Sequence, residues 1–99
     1  MKVVYTEQSL KSLEELLNFL ALKNSPKKVN DIKTRILDKA DSLVKFSHKG
    51  QLEEYLLRLE KGHRYILEKH TKIIYRTEGD IIYITDFFDT RQDPDKMKG

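Results

Sequence analysis

In the stretch FFDTRQDP, residues 87–94, Arg91 stands between Asp89 and Asp93 just past an apolar run. Arginine carries a planar fork of donors that fits a phosphate or a carboxylate through two parallel bonds. Arg91 therefore has two accounts. It clamps an anion, or it holds the tail to the preceding strand through Asp89 or Asp93. Upstream, Lys61, Arg64, Lys69, Lys72 and Arg76 share a segment with a single acid, Glu68. Residues 77–95 then carry Glu78, Asp80, Asp86, Asp89, Asp93 and Asp95 against Arg91 alone. A basic segment followed by an acidic one suits an anion at the first and a cationic partner at the second. Histidines and acids lie close together here, but their spacing matches no helical or hairpin ligand pattern, so neither a metal nor another cofactor is expected.

The elements that must position these residues follow from periodicity. Lys2–Tyr5 is a short strand candidate, and Thr6 is an N-cap whose hydroxyl accepts a free amide hydrogen. Leu10, Leu13, Leu16, Leu17 and Leu20 recur at helical spacing, which predicts a helix from about Glu7 to Lys23. Asn24-Ser25-Pro26 breaks it and starts another, with Ser25 as cap and Pro26 at the first helical position. Val29, Ile32, Ile36, Ala40 and Leu43 carry the second helix to near Phe46, with Asp31 and Arg35 as an i, i+4 ion pair. So short a link makes the two helices an antiparallel hairpin.

From Gly62 the period becomes two. Strands are expected at Tyr65–Leu67, His70–Arg76 and Asp80–Phe88, with turns at Glu68-Lys69-His70 and Glu78-Gly79-Asp80. Tyr65, Tyr75 and Tyr83 read as sheet packing. Residues 51–61 fit a strand or a short helical turn, and Leu56, Leu57 and Leu59 need burial in either case. The fold class is α+β, in the order β-α-α-β-β-β. The N-terminal helical hairpin packs on one face of a small, antiparallel-dominated sheet, and the other face stays free for a site.

Ninety-nine residues make one domain, 1–99, which can bury roughly two-thirds of its unfolded surface. There is no cysteine, hence no disulfide and no thiol chemistry. The N-terminus, MKVVYTEQ, lacks the apolar region of a signal peptide. No run approaches the ~18 apolar residues of a membrane span. The expected localisation is cytoplasmic, with no membrane partner.

In this order of elements the chain resembles the RelE/ParE superfamily, the toxins of type II toxin–antitoxin systems, also known as plasmid stabilisation proteins. The resemblance is carried by LNFLALKNSPKKVNDIKTRILDKADSL (17–43), HRYILEKHTKIIYRTEGDIIYI (63–84) and FFDTRQDP. Its most telling part is KIIYR, then a glycine turn, an isoleucine-rich strand and an arginine just past its end. The resemblance implies a cognate antitoxin that wraps around the toxin. It also implies one of two targets: messenger RNA cut inside the ribosome, as in the RelE-like branch, or DNA gyrase, as in the ParE-like branch. Arg64 falls where RelE-like members carry a catalytic basic residue, Lys72 where they carry an arginine on the next strand, and Arg91 at the arginine after the last strand. Ile66 replaces a second basic residue, Asp89 stands where many members have a histidine, and no C-terminal tyrosine follows.

RNA cleavage of that kind uses the ribose 2′-OH as nucleophile. Fixed positive charge stabilises the crowded phosphorane, a task for Arg64, Lys72 and Arg91 if they meet on one sheet face. A general acid–base group is also needed, and the candidates are His63, His70, Glu68 and Asp89. The first expectation is ribosome-dependent mRNA cleavage by an endoribonuclease (mRNA interferase). The alternatives are gyrase inhibition through the hairpin and tail, and a non-toxic antitoxin-binding module that acts in operon regulation. An acidic antitoxin segment, helix or strand, is expected to match Lys61–Arg76.

Overall fold

A computed structural model describes residues 1–99. Strand β1 is Lys2–Tyr5, followed by helix α1, Glu7–Ala21. The Thr6 hydroxyl accepts the Ser9 amide hydrogen at 3.1 Å, as the cap requires. Asn24 Nδ2 donates to the Leu20 carbonyl at 2.9 Å and closes the end of α1. Helix α2 is Pro26–Asp41, with Ser25 Oγ accepting from the Lys28 amide at 3.2 Å. The second helix stops earlier than expected. At Ser42 the side chain turns back onto the Lys39 carbonyl at 2.6 Å, and a separate short helix α3, Leu43–Phe46, follows.

Residues 51–61 resolve into both expected forms: strand β2, Gln51–Leu52, and a 3-10 segment, Glu54–Leu59. Three strands follow: β3, Arg64–Glu68; β4, Thr71–Glu78; β5, Ile81–Asp89. A last 3-10 turn spans Pro94–Lys96. The β3–β4 turn places Lys69 at φ 53°, and the β4–β5 turn places Gly79 at φ 58°, where glycine carries no steric cost. No helix is long and apolar enough to cross a membrane.

The sheet order is β1-β5-β4-β3-β2. Neighbours among β2–β5 are antiparallel, whereas β1 runs parallel to β5, from Lys2 opposite Ile81 to Tyr5 opposite Ile84. The meander thus has four strands, and β1 closes its far edge. β5, IIYITDFFD, is consequently flanked by a strand on each side, and it is buried almost throughout.

Leu13 and Leu16 of α1, Ile36 and Ala40 of α2 and Leu43 of α3 pack on Ile73, Tyr75, Ile82, Ile84 and Phe87. Ile84 and Phe87 are three residues apart and would normally face opposite ways. A bulge lets both face the helices: Ile74 pairs with Asp86 but Tyr75 with Ile84, so Thr85 is the extra residue.

The opposite face is not free, contrary to expectation. Leu56 from the 3-10 segment and Met97 from the tail cover Ile74 and Phe88, with Tyr65 packed alongside. The reason is written in two doublets, Ile73-Ile74 and Phe87-Phe88. Each doublet puts one apolar side chain on each face, so both faces need cover. Of the three leucines expected to be buried, only Leu56 is; Leu57 is exposed and Leu59 is partly covered by the chain near Gly99.

The loop between α3 and β2 is fixed by Tyr75, which is fully buried. Its hydroxyl donates to the Ser47 carbonyl at 2.7 Å and accepts from the Gly50 amide at 3.0 Å. A Cβ at Gly50 would overlap that hydroxyl. Tyr75→Phe leaves both backbone groups buried without a partner and is expected to lower stability by about 1–3 kcal/mol in urea unfolding. Gly50→Ala is expected to do at least as much; unchanged midpoints for both variants would remove the loop's dependence on this clamp.

Candidate functional site

The register decides where the three basic residues go. Arg64 pairs with Tyr75 across β3–β4 and so lies on the helix-facing side. Its NH1 donates to the Gly50 carbonyl at 2.8 Å. Lys72 pairs with Leu67 and with Phe88, which places it on the opposite face. Its ammonium lies 2.7 Å from Glu53 Oε2, 4.2 Å over the Tyr65 ring and 5.8 Å from the Tyr55 ring centre. Arg91 follows β5 and grips Asp89 with Nε at 3.0 Å and NH2 at 2.7 Å, while its backbone N–H donates to Asp89 Oδ1 at 2.8 Å.

The three therefore do not meet on one sheet face. Arg64 and Lys72 are separated by the sheet itself. Arg64 also lies four residues from the Glu68 end of β3, about 13 Å at ~3.3 Å per residue, whereas Arg91 lines the cleft at that end. Ile66 packs on the main core. Of the two accounts of Arg91, the structure displays the pairing with Asp89, with 61 % of the Arg91 side chain still exposed. That bond holds the Asp89 carboxyl below the usual carboxylate range.

The acid–base candidates are equally dispersed. His63 is 1 % exposed, lies against Leu59 and Gly99, and has no partner for either ring nitrogen. Burial lowers its pKa, helped by Arg76 and Lys61, so the ring is neutral at pH 7. The end of the tail covers it. His70 is exposed in the β3–β4 turn, and Glu68 ends β3. Two buried carboxylates were not singled out in the sequence, Glu53 and Asp86. Glu53 holds Lys72 and caps the 3-10 segment through the Tyr55 amide. Asp86 accepts from the Lys98 amide at 2.9 Å and ties the tail to β5, while burial raises its pKa.

Neither charged segment forms one surface. Arg64 and Lys72 are engaged as described, and Arg76 pairs with Glu78 at 2.8 Å and lies 4.6 Å over Tyr83. Among the acids, Glu78 and Asp80 sit at the β4–β5 turn, at the opposite end of the hairpin from Lys69, and Asp93 caps the last 3-10 turn. Two neighbouring clefts lie between α2 and β3. One cleft of about 730 Å³ is bounded by Arg35, Lys39, Phe46, Ile66, Leu67 and Glu68. A second of about 500 Å³ is bounded by Lys27, Lys28, Arg35, Lys69, His70 and Arg91. They share Arg35 and Glu68 and form one groove. Along the first cleft β3 has a bare edge, because β2 pairs only with Arg64 and Tyr65. Asp31 and Arg35, expected as an ion pair, are not in contact, so Arg35 is free in the groove.

Comparison with known proteins gives two positive findings. Residues 3–94 match the family model described as ParE toxin of type II toxin-antitoxin system, parDE. A solved structure described as the chromosomal ParDE TA system from P. aeruginosa superposes with a TM-score of 0.78 at 19 % identity, covering 92 % of this chain and 97 % of that chain. At that identity the likeness concerns the fold. A search of curated proteins returns no match.

Two measurements test the site as described. Lys72 is 17 % and Glu53 2 % exposed, so Lys72→Ala strands a buried carboxylate and is expected to cost about 2–4 kcal/mol of stability. Lys72→Met with Glu53→Leu should recover most of that loss; a Lys72→Ala variant as stable as the parent would show that the pair is not structural. His63 gives a pH signature. Its pKa is lowered in the folded state, so its full contribution is present above the unfolded value near 6.5 and is lost as pH falls below it. Between pH 7.5 and 5.5 unfolding free energy should fall, by at most about 1.4 kcal/mol per unit. His63→Leu should flatten the curve. Asp86, with its raised pKa, acts in the opposite sense.

Proposed function

The chain belongs to the ParE toxin family of type II toxin–antitoxin systems, and from that premise we propose that it inhibits DNA gyrase and is neutralised by a cognate antitoxin bound along the α2–β3 groove. The observation that carries the choice of target is the dispersal of Arg64, Lys72 and Arg91. Cleavage of RNA needs cations gathered around one phosphorus and a group able to take the 2′-OH proton. Here two of the cations lie on opposite faces, and each of the three already holds a partner within the chain. Asp89, at the position of the family's frequent histidine, is bound to Arg91 and stays ionised. Gyrase inhibition asks for none of this. It needs a shaped surface, and ribosome-dependent mRNA cleavage loses its chemical basis.

For the antitoxin, the bare β3 edge at Ile66–Glu68 offers unpaired backbone groups to an extended segment. Leu67 and Phe46, both exposed, flank that edge and suit apolar side chains of the incoming segment, and Arg35, Lys39 and Lys49 suit its acids. These features favour the groove over the Lys61–Arg76 segment as a whole, whose Arg64, Lys72 and Arg76 already hold partners within the chain.

Induction from a tightly repressed promoter, with DNA and protein synthesis pulse-labelled within minutes, tests the target. DNA synthesis is expected to stop first, and purified protein should inhibit supercoiling by gyrase. Arrest of protein synthesis first, with cleaved mRNA, would restore the ribosomal reading. If neither process stops, the chain is an antitoxin-binding module without toxicity. Leu67→Asp should weaken antitoxin binding at least tenfold and leave growth arrest in place.

A further inference from the structure

We propose that the cleft between the start of α2 and the β3–β4 turn binds the phosphate backbone of duplex DNA. Lys27 and Lys28 stand on one wall with Arg35 about two turns further along α2, and Lys69 stands on the other wall in the turn. None of the four is in an ion pair. The carboxylates that line the same cleft are Asp31, Glu68 and Asp89, and Asp89 is already neutralised by Arg91. Arg91 spends Nε and NH2 on that bond and keeps NH1 without a partner. Lys28 and Arg35 are seven residues apart, about 10 Å along a helix rising ~1.5 Å per residue, a span within reach of neighbouring phosphates for side chains of this length.

A nucleic-acid backbone suits this end of the groove better than a peptide does. The strand edge that would hold a peptide lies at the other end. Past Glu68 the backbone is closed: Thr71 pairs with Asp89, and the Thr90 amide donates to the His70 carbonyl at 2.8 Å. What remains is flexible cationic side chains around an open cleft of about 500 Å³, and these recognise charge without sequence. DNA binding by the isolated toxin goes beyond the gyrase reading, and it stands or falls independently of the supercoiling assay.

Fluorescence anisotropy with a labelled duplex about two helical turns long provides the test, at several salt concentrations. Wild-type protein should bind with a log–log salt slope of about −3 to −4, since each neutralised phosphate contributes roughly −0.9. Lys27→Gln/Lys28→Gln should lose at least tenfold in affinity and about two from the slope. Lys11→Gln/Lys45→Gln, which removes the same charge elsewhere on the surface, should change affinity less than threefold; circular dichroism confirms that both variants are folded. No binding at low salt overturns the proposal. So does an equal loss in the two double variants, which would reduce the effect to net charge. Displacement of the DNA by a polyglutamate peptide at equal charge concentration would assign the cleft to an acidic polypeptide and overturn it as well.

Discussion

The hydroxyl of Tyr75 sits where the helical half of the chain is handed over to the sheet. It is fully buried, and burial raises its pKa, so it keeps its proton and donates it to the Ser47 carbonyl. The same oxygen takes the Gly50 amide hydrogen. Two backbone groups that would otherwise be stranded are thereby satisfied, and the loop after α3 has one permitted path. That path leaves Gly50 without room for a side chain and turns its carbonyl toward Arg64. It also delivers Gln51 and Leu52 to the edge of β3 for two residues only. The bare part of β3, and hence the groove, begins where this constraint ends.

A sheet with both faces covered has consequences for function. In a chain of this size the helices occupy one face, and the other is closed by short pieces, Leu56 from one side and Met97 from the other. Each piece is tied down by a buried carboxylate: Glu53 through Lys72, and Asp86 through the Lys98 amide. Residues that look available in the sequence are thus consumed by closure. What is left for partners is the rim: the edge of β3, the start of α2 and the hairpin turn.

The helices were legible because their signals are local. Thr6 and Ser25 cap as their position demands, and the leucine spacing marks the buried stripe of α1. The break at Ser42 was hidden because Leu43 continues the helical pattern and Ser42 itself keeps helical dihedral angles. The position of β1 was also hidden, since four residues carry no information about which strand they join. The cationic residues were visible as types, but their partners were not. Arg64 finds Gly50 and Lys72 finds Glu53 across the fold, at separations that periodicity does not reach. Alternation along the hairpin was the one available clue that Arg64 and Lys72 face apart, and it required the turn at Lys69-His70 to be placed to the residue. The doublets Ile73-Ile74 and Phe87-Phe88 already announced a second buried face.

The parallel pairing of β1 with β5 bears on how the chain comes into being. Lys2–Tyr5 are made before the other four strands, yet their hydrogen-bonding neighbours are Ile81–Ile84, in the last of them. Closing a contact across nearly the whole chain is slow relative to forming helices or hairpins, because the loop entropy is lost before the pairing is gained. On the ribosome it has to wait until β5 has emerged. Once made, β5 stays open on one side until β1 docks, and for that interval the nascent chain exposes an unpaired edge at β5 to whatever extended segment is at hand.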